Sequence, residues 1–255
     1  MSATGELAVV IAARNESERI SATVKAAATI PGVDLVVVVD DGSNDGTGAE
    51  AAQAGAVVAR HARNRGKAAA METGAEAVKV IESRQVSNGS QSHRHLLFLD
   101  ADLAETAANA TPLTEPVLTG EADMTIAVFA TKQKRGGRGI VLGLAGAGIE
   151  RAVGWRPTEP LNGQRCLTRA AFEAARPLAG GWGAETGLTI DLLRRGLRVT
   201  EVQVPLTHRA TGKDLHSQLH RAHQLADVAR ALAARKPWQS APRQPDEPAG
   251  QPEAV

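Results

Sequence analysis

Three short segments of this chain are apolar without a break, and each runs straight into polar or acidic residues. Leu7-Ala8-Val9-Val10-Ile11-Ala12-Ala13 meets Arg14-Asn15-Glu16. Leu35-Val36-Val37-Val38-Val39 meets Asp40-Asp41, and Leu96-Leu97-Phe98-Leu99 meets Asp100-Ala101-Asp102. A strand with one wet face alternates apolar and polar residues, whereas a strand covered on both faces does not. The runs therefore predict a mainly parallel sheet buried between helices. The spacers agree: helical spacing over 17–30 closed by Pro31-Gly32, a helix over 46–54, a third strand over 56–60, a helix over 67–82 and a fifth strand over 123–129. Strands alternating with helices give an α/β fold, Rossmann-like, with helices on both faces of the central sheet. Such sheets gather their chemistry beyond the carboxyl ends of the strands. Asp40, Asp41, Asp100 and Asp102 fall there.

The second half is patterned less clearly. Residues 83–94 are polar and read as a surface loop. Residues 132–139 are basic and glycine-rich, which predicts a mobile loop. The apolar stretch 140–153 contains Gly143, Gly146 and Gly148, so its helix should be weak. A helix over 184–195 stops at Gly196, a strand covers 199–206, and a long basic amphipathic helix covers 215–235. From Pro237 there are five prolines in 19 residues and almost no apolar side chains, a composition that predicts disorder. The expected organisation is a catalytic domain over 1–236, with halves 7–129 and 130–236, and a Pro-rich tail over 237–255.

Composition removes several function classes. Lys and Arg number 29 against 28 Asp and Glu, which gives no electrostatic case for a general nucleic-acid binder. Aromatics are 2% of 255 residues, with no Tyr, so base-stacking platforms are not expected. A single cysteine, Cys166, excludes an intramolecular disulfide and any multi-cysteine metal site; it reads as a small core residue. No 18-residue apolar stretch is present, and the N-terminus lacks the basic region of a signal peptide. A cytoplasmic protein is expected. Peripheral membrane contact through 140–153 or the last helix stays open, as does a homodimer.

Asp40-Asp41-Gly42-Ser43-Asn44-Asp45-Gly46 puts two carboxylates at a tight turn, a costly pairing unless donors or cations compensate; it is also ordinary turn chemistry. Asp100 and Asp102, spaced i, i+2 on extended chain, lie on one side and offer hard oxygen ligands for Mg²⁺ or Mn²⁺, or simply a solvated strand end. Asn64-Arg65-Gly66-Lys67 opens a helix, where amides and a lysine favour an anion; the GxxxxGK[ST] phosphate loop is absent. His216, His220 and His223 share a helix face and read as a solvated stripe. Arg135 and Arg138 carry the fork geometry that suits a phosphate or carboxylate.

Taken in order, strand, Asp-Asp-Gly-Ser turn, Asn-x-Gly-Lys, strand and Asp-x-Asp resemble the family-2-like glycosyltransferases of GT-A fold, over about residues 7–129. Ala12-Ala13-Arg14-Asn15-Glu16 resembles their opening segment. Pro160-Leu161-Asn162-Gly163-Gln164-Arg165 resembles the acceptor-side segment of polyprenyl-phosphate glycosyltransferases. It is also similar to that of the glucosyl-3-phosphoglycerate synthases, with glutamine where those enzymes carry glutamate. Gly181-Trp182-Gly183-Ala184-Glu185, continuing to Asp191, resembles a further stretch of those synthases.

The resemblance implies a metal-dependent transfer of sugar from a nucleoside-diphosphate sugar, with UDP favoured, to a small phosphorylated or polyprenyl-phosphate acceptor. It places Ala12, Arg14, Glu16, Asp40, Asp41, Lys67, Asp100 and Ala101 at the donor. Asp102 would be the main ligand of Mg²⁺ or Mn²⁺, with His208 as another; Arg209 and Lys213 lie nearby. Arg135, Arg138, Gln164, Arg165 and Glu185 would face the acceptor, and Asp102 and Glu185 would carry the chemistry. Two rival functions are a sugar nucleotidyltransferase, which would want a Gly-rich G-x-G-T-R segment where Arg14-Asn15-Glu16 stands, and a non-catalytic nucleotide-sugar binder.

Overall fold

A computed structural model describes residues 7–86, 93–129, 139–206 and 215–236, with the side chains of 86 and 215–222 left aside. Among them, seven strands form one sheet in the order β3-β2-β1-β4-β6-β5-β7. The strands are β1 (Leu7–Ala13), β2 (Val33–Asp40), β3 (Val57–Arg60), β4 (His95–Asp100), β5 (Met124–Phe129), β6 (Arg165–Leu167) and β7 (Val199–Val204). All pairings are parallel except those of β6, which runs antiparallel between β4 and β5.

The apolar runs form strands because both of their faces are covered. Leu7, Val9, Ile11 and Ala13 of β1 join a core on one side with Ile20 and Val24 of α1 (Ile20–Ala27). Ala8 and Val10 join the opposite core with Met71, Ala75 and Val78 of α3 (Lys67–Val86). Burying each such Val, Leu or Ile contributes roughly 1.5–3 kcal/mol. Gly74 lets α3 lie this close: a Cβ there would stand 2.3 Å from Val10 Cγ1 and 3.2 Å from Val39 Cγ2.

Several expectations shift in detail. Helix α3 runs to Val86, into the segment read as a loop. Residues 104–113 form a run of 3-10 turns, Ala104–Leu113, which has no apolar period to announce it. The short helices α2 (Thr47–Gln53), α4 (Glu115–Leu118) and α6 (Arg169–Ala175) flank the sheet. Despite its glycines, α5 (Gly139–Val153) is a continuous helix. Val141, Ala145, Ile149 and Ala152 bury one face against Ile190 of α7 (Ala184–Arg194) and Val228 and Leu232 of α8 (Leu215–Ala234). Tertiary burial outweighs weak propensity there. Residues 132–138 of the expected mobile loop and the expected disordered tail lie outside the described residues, and Gly139 opens α5 instead.

The topology fixes where a site can form. From β1 the sheet grows one way through β2 and the other through β4, so strand order reverses between β1 and β4. Crevices in open α/β sheets lie outside the carboxyl ends of strands at such a reversal. The register brings Ala13 level with Asp40 and Ala12 level with Asp100. Because β6 is antiparallel, with Arg165 opposite Phe98, the residues just before it return to the same end of β4.

Candidate active site

The loops after β1 and β2 are bound to each other. The amide of Asn15, a residue at φ 55, donates to Ser43 Oγ at 3.0 Å, and the Asn44 amide donates back to Asn15 Oδ1 at 2.9 Å. The Glu16 amide donates to Thr47 Oγ1 at 2.9 Å, and the Ser17 amide to Asp45 Oδ2 at 3.3 Å. The Thr47 hydroxyl, with the Thr47 and Ser17 amides, brings Asp45 down to about 2 against a small burial penalty. Arg14 is exposed and Ala12 half-buried at this rim.

The two consecutive aspartates are spent largely inside the protein. Asp40, 1% exposed, accepts from the Ser43 amide at 2.8 Å and faces Arg60 Nε at 3.5 Å. Asp41, 5% exposed, accepts from the amides of Arg65 and Gly66, each at 2.8 Å, and lies 2.7 Å from His61 Nδ1. His61 Nε2 is 2.9 Å from Thr73 Oγ1 on α3. Burial alone would raise the Asp41 pKa. The bond from His61 and those from the two amides outweigh it and hold the carboxyl below its ordinary value. Asp41 therefore anchors the loop that delivers Lys67.

At the end of β4 four side chains converge. Lys67 Nζ donates to Asp100 Oδ1 at 2.6 Å and stands 3.4 Å from Glu185 Oε1. Gln164 Nε2 donates to the other oxygen, Asp100 Oδ2, at 2.6 Å. Burial opposes the charge on Lys67, but Asp100 and Glu185 outweigh it and raise its pKa above the usual lysine range. Gln164 Oε1 is buried with no hydrogen-bond partner among the described residues, and Glu185 Oε1 is buried with the Lys67 ammonium beside it. Gly163 forms the floor: a Cβ there would stand 1.9 Å from Lys67 Nζ and 3.1 Å from Asp100 Oδ1.

The turn beyond Asp100 is pinned by a buried threonine. Thr23 Oγ1 on α1 donates to Ala101 O at 2.8 Å and accepts from the Ala104 amide at 2.9 Å, with Ala104 at φ 49. Ala101 is buried and Asp102 half-buried between these anchors. The donor chemistry fits a divalent cation, because Mg²⁺ is commonly held by one or two carboxylates together with substrate phosphates. The sequence expectation puts Asp102 to that use; Asp100 is engaged on both oxygens by Lys67 and Gln164.

Arg165 is put to a use the sequence did not announce. It is wholly buried, and its guanidinium donates to internal acceptors, the carbonyls of Pro160, Asn162 and Glu185 and the Thr189 hydroxyl. No part of it reaches a surface where an acceptor molecule could bind. Burial pushes its pKa down to about 10, partly offset by Glu185 and Glu201. Cys166 is buried, as expected, and burial pushes its thiol well above the usual range. Arg135, Arg138 and His208, with Arg209 and Lys213, lie outside the described residues; His223 is exposed on α8. The structure thus gathers Lys67, Asp100, Gln164 and Glu185 around Gly163 of the Asn162-Gly163-Gln164-Arg165 segment, and adds His61 and Thr23, which no motif marked.

The fold has counterparts among solved structures. Glucosyl-3-phosphoglycerate synthase from Mycobacterium tuberculosis, crystallised with phosphoglyceric acid, superposes with a TM-score of 0.70 at 23% identity, over 90% of this chain and 79% of that one. The same enzyme with Mn²⁺, UDP-glucose and phosphoglyceric acid gives 0.68 at 24%, over 90% and 79%. The likeness at these identities is one of fold. Glycosyltransferase AglJ of Haloferax volcanii is 28% identical over 188 residues, 70% of this chain and 56% of its own length. The match thus covers little more than half of that relative. The uncharacterized protein MJ1222 of Methanocaldococcus jannaschii is 26% identical over 209 residues, 78% of this chain and 80% of its own. The family described as Glycosyl transferase family 2 matches residues 8–142, a span that holds the ends of β1, β2 and β4 and more than half of the sequence, and the chain belongs to that family.

Proposed function

We propose that the chain transfers a sugar from a nucleoside-diphosphate sugar, with uridine as the nucleoside, to a phosphorylated acceptor. The carrying observation is the cluster at the β1/β4 crevice, where the part-exposed Lys67 and Asp100 are held by the buried Gln164 and Glu185. Lys67, kept protonated by its two carboxylates, fixes Asp100 and Glu185 so that they present oxygens in one geometry. The likeness to a synthase crystallised with Mn²⁺ and UDP-glucose supports this reading.

Asp102 would hold Mg²⁺ or Mn²⁺, with His208 as a further ligand. When bound, that cation neutralises charge developing on the leaving diphosphate. The loop pair carrying Asn15, Ser43 and Thr47 shapes the nucleotide end, with Arg14, Glu16, Asp40 and Asp41 beside it. Arg135 and Arg138 would face the acceptor's phosphate from the segment between β5 and α5. The acceptor is a small phosphorylated acid or a polyprenyl phosphate. No described helix is long and apolar enough to cross a membrane.

The test is a thermal-shift panel of UDP- and GDP-sugars, each with Mg²⁺, Mn²⁺ or EDTA, followed by transfer assays on phosphoglycerate and on a short polyprenyl phosphate. A ligand that binds only the native state must raise the melting temperature. A metal-dependent rise with one nucleotide sugar, and sugar transfer to one acceptor, are expected. No shift with any donor under any metal condition would refute the proposal.

A further inference from the structure

We infer that Arg165 is a positioning residue, whose buried guanidinium sets Gln164 and Glu185 against Asp100 and Lys67. The inference rests on the reading of that cluster as the sugar site.

The two halves of the cluster come from segments with no direct covalent closeness. Gln164 precedes β6 and Glu185 opens α7. One side chain joins both backbones. Arg165 Nε donates to Asn162 O at 2.7 Å and Nη2 to Pro160 O at 3.1 Å, which ties down the turn leading into Gly163 and Gln164. Its Nη1 donates to Glu185 O at 3.1 Å and to Thr189 Oγ1 at 2.8 Å. Thr189 Oγ1 in turn donates to Glu185 O at 2.8 Å, so the first turn of α7 is held twice at the residue that matters. Asn162 completes the frame, with Nδ2 on Ala127 O at 2.7 Å and Oδ1 accepting from the Gln164 amide at 3.0 Å.

A guanidinium is a costly choice for a wholly buried site. Fully removed from water, it makes no carboxylate hydrogen bond, and an apolar side chain of similar volume would fill the space more cheaply. What an apolar residue cannot do is hold three carbonyls from two separate segments in one plane. The fixed fork of arginine does this, and a lysine ammonium, with a single donor centre, does not. The charge also lies near Glu185, which it attracts without binding its carboxylate.

The experiment compares wild type with Arg165→Lys and with Thr189→Val, a gentler change that removes one acceptor of Nη1. Two readouts are used. The first is the ¹⁵Nζ ammonium signal of Lys67, assigned by its loss in Lys67→Met; it needs no ligand and stays informative even if no nucleotide binds. The second is the split between Mn²⁺–UDP affinity and the rate of transfer or hydrolysis of the UDP-sugar. In folded Arg165→Lys, Lys67 ammonium protons are expected to exchange at least tenfold faster, and turnover to fall more than tenfold, with Mn²⁺–UDP affinity within about twofold. Thr189→Val is expected to move both in the same direction by a few fold, and it decides the matter if Arg165→Lys does not fold. Unchanged Lys67 exchange in a folded variant overturns the inference. Failure of wild type to bind any nucleotide overturns the functional reading instead, with Lys67 exchange still deciding the role of Arg165.

Discussion

Adding one methyl group under Lys67 is the sharpest perturbation the structure offers. A Cβ at residue 163 would sit 1.9 Å from Lys67 Nζ and 2.9 Å from its Cε. The ammonium is the mobile end of a long side chain, so it gives way before the backbone does. It must retreat by roughly 1.5 Å to regain an ordinary contact distance. The added Cβ would lie 3.1 Å from Asp100 Oδ1, so the retreat runs almost at right angles to the 2.6 Å bond to Asp100 and stretches it to about 3.1 Å, a long hydrogen bond. With an effective dielectric near 20, that displacement gives up about 1 kcal/mol of attraction. Lys67 and Asp100 are each less than one-third exposed, so solvent recovers only part of it. If the pair orders the site for the transition state, turnover falls by about fivefold, while the melting temperature drops by no more than about 2–4 °C. Steady-state transfer assays and calorimetry on Gly163→Ala read these two quantities. A folded variant with wild-type turnover would refute the reasoning, because it would show that the Lys67–Asp100 geometry does not matter.

Other perturbations probe the remaining supports. Asp102→Asn is expected to abolish metal-dependent donor binding in calorimetric titration and to leave the melting temperature within a degree or two. Thr23→Val removes both the bond to Ala101 O and the acceptor for the Ala104 amide; denaturant unfolding should show a loss of about 1–3 kcal/mol, with weaker donor binding beside it. Asp41 has a depressed folded-state pKa, so its stabilisation is complete above the ordinary carboxyl value and is lost as pH falls through the folded value. Asp41→Asn should accordingly be less stable at neutral pH and show a flatter acid limb below about pH 4 in urea titrations. Gly74→Ala forces a Cβ to 2.3 Å from Val10 Cγ1, and overpacking there should cost about 1–3 kcal/mol by denaturant unfolding.

What could be read from the sequence divides along physical lines. Strands β1, β2 and β4 were legible because burial on both faces demands unbroken apolar runs, and the aspartates at their ends mark where the sheet stops. The helix carrying Glu185 was legible from its own spacing. Strand β6 was not: three residues, Arg165–Leu167, are too few to show any period, and an antiparallel insertion between β4 and β5 is a tertiary choice. The same holds for pairings across the chain. Nothing near Lys67 announces Asp100, 33 residues away, and nothing near Asp41 announces His61. Arg165, expected at an acceptor, is instead sealed beneath the site, since whether an arginine faces solvent or carbonyls depends on the segments folded over it. Gly163 was marked only as part of the segment resembling an acceptor-side motif, and only the position of Lys67 shows why a side chain is excluded.

The central claim is that the crevice between β1 and β4 holds a metal-bound nucleotide diphosphate beside the Lys67–Asp100–Glu185 cluster. Diffraction from crystals soaked with Mn²⁺ and UDP tests it most directly, through the anomalous signal of the metal. The account predicts one manganese peak at the Asp102 carboxylate, with the diphosphate next to it at the end of β4. Manganese and nucleotide bound elsewhere, or a diphosphate at the crevice with no metal near Asp102, would contradict it.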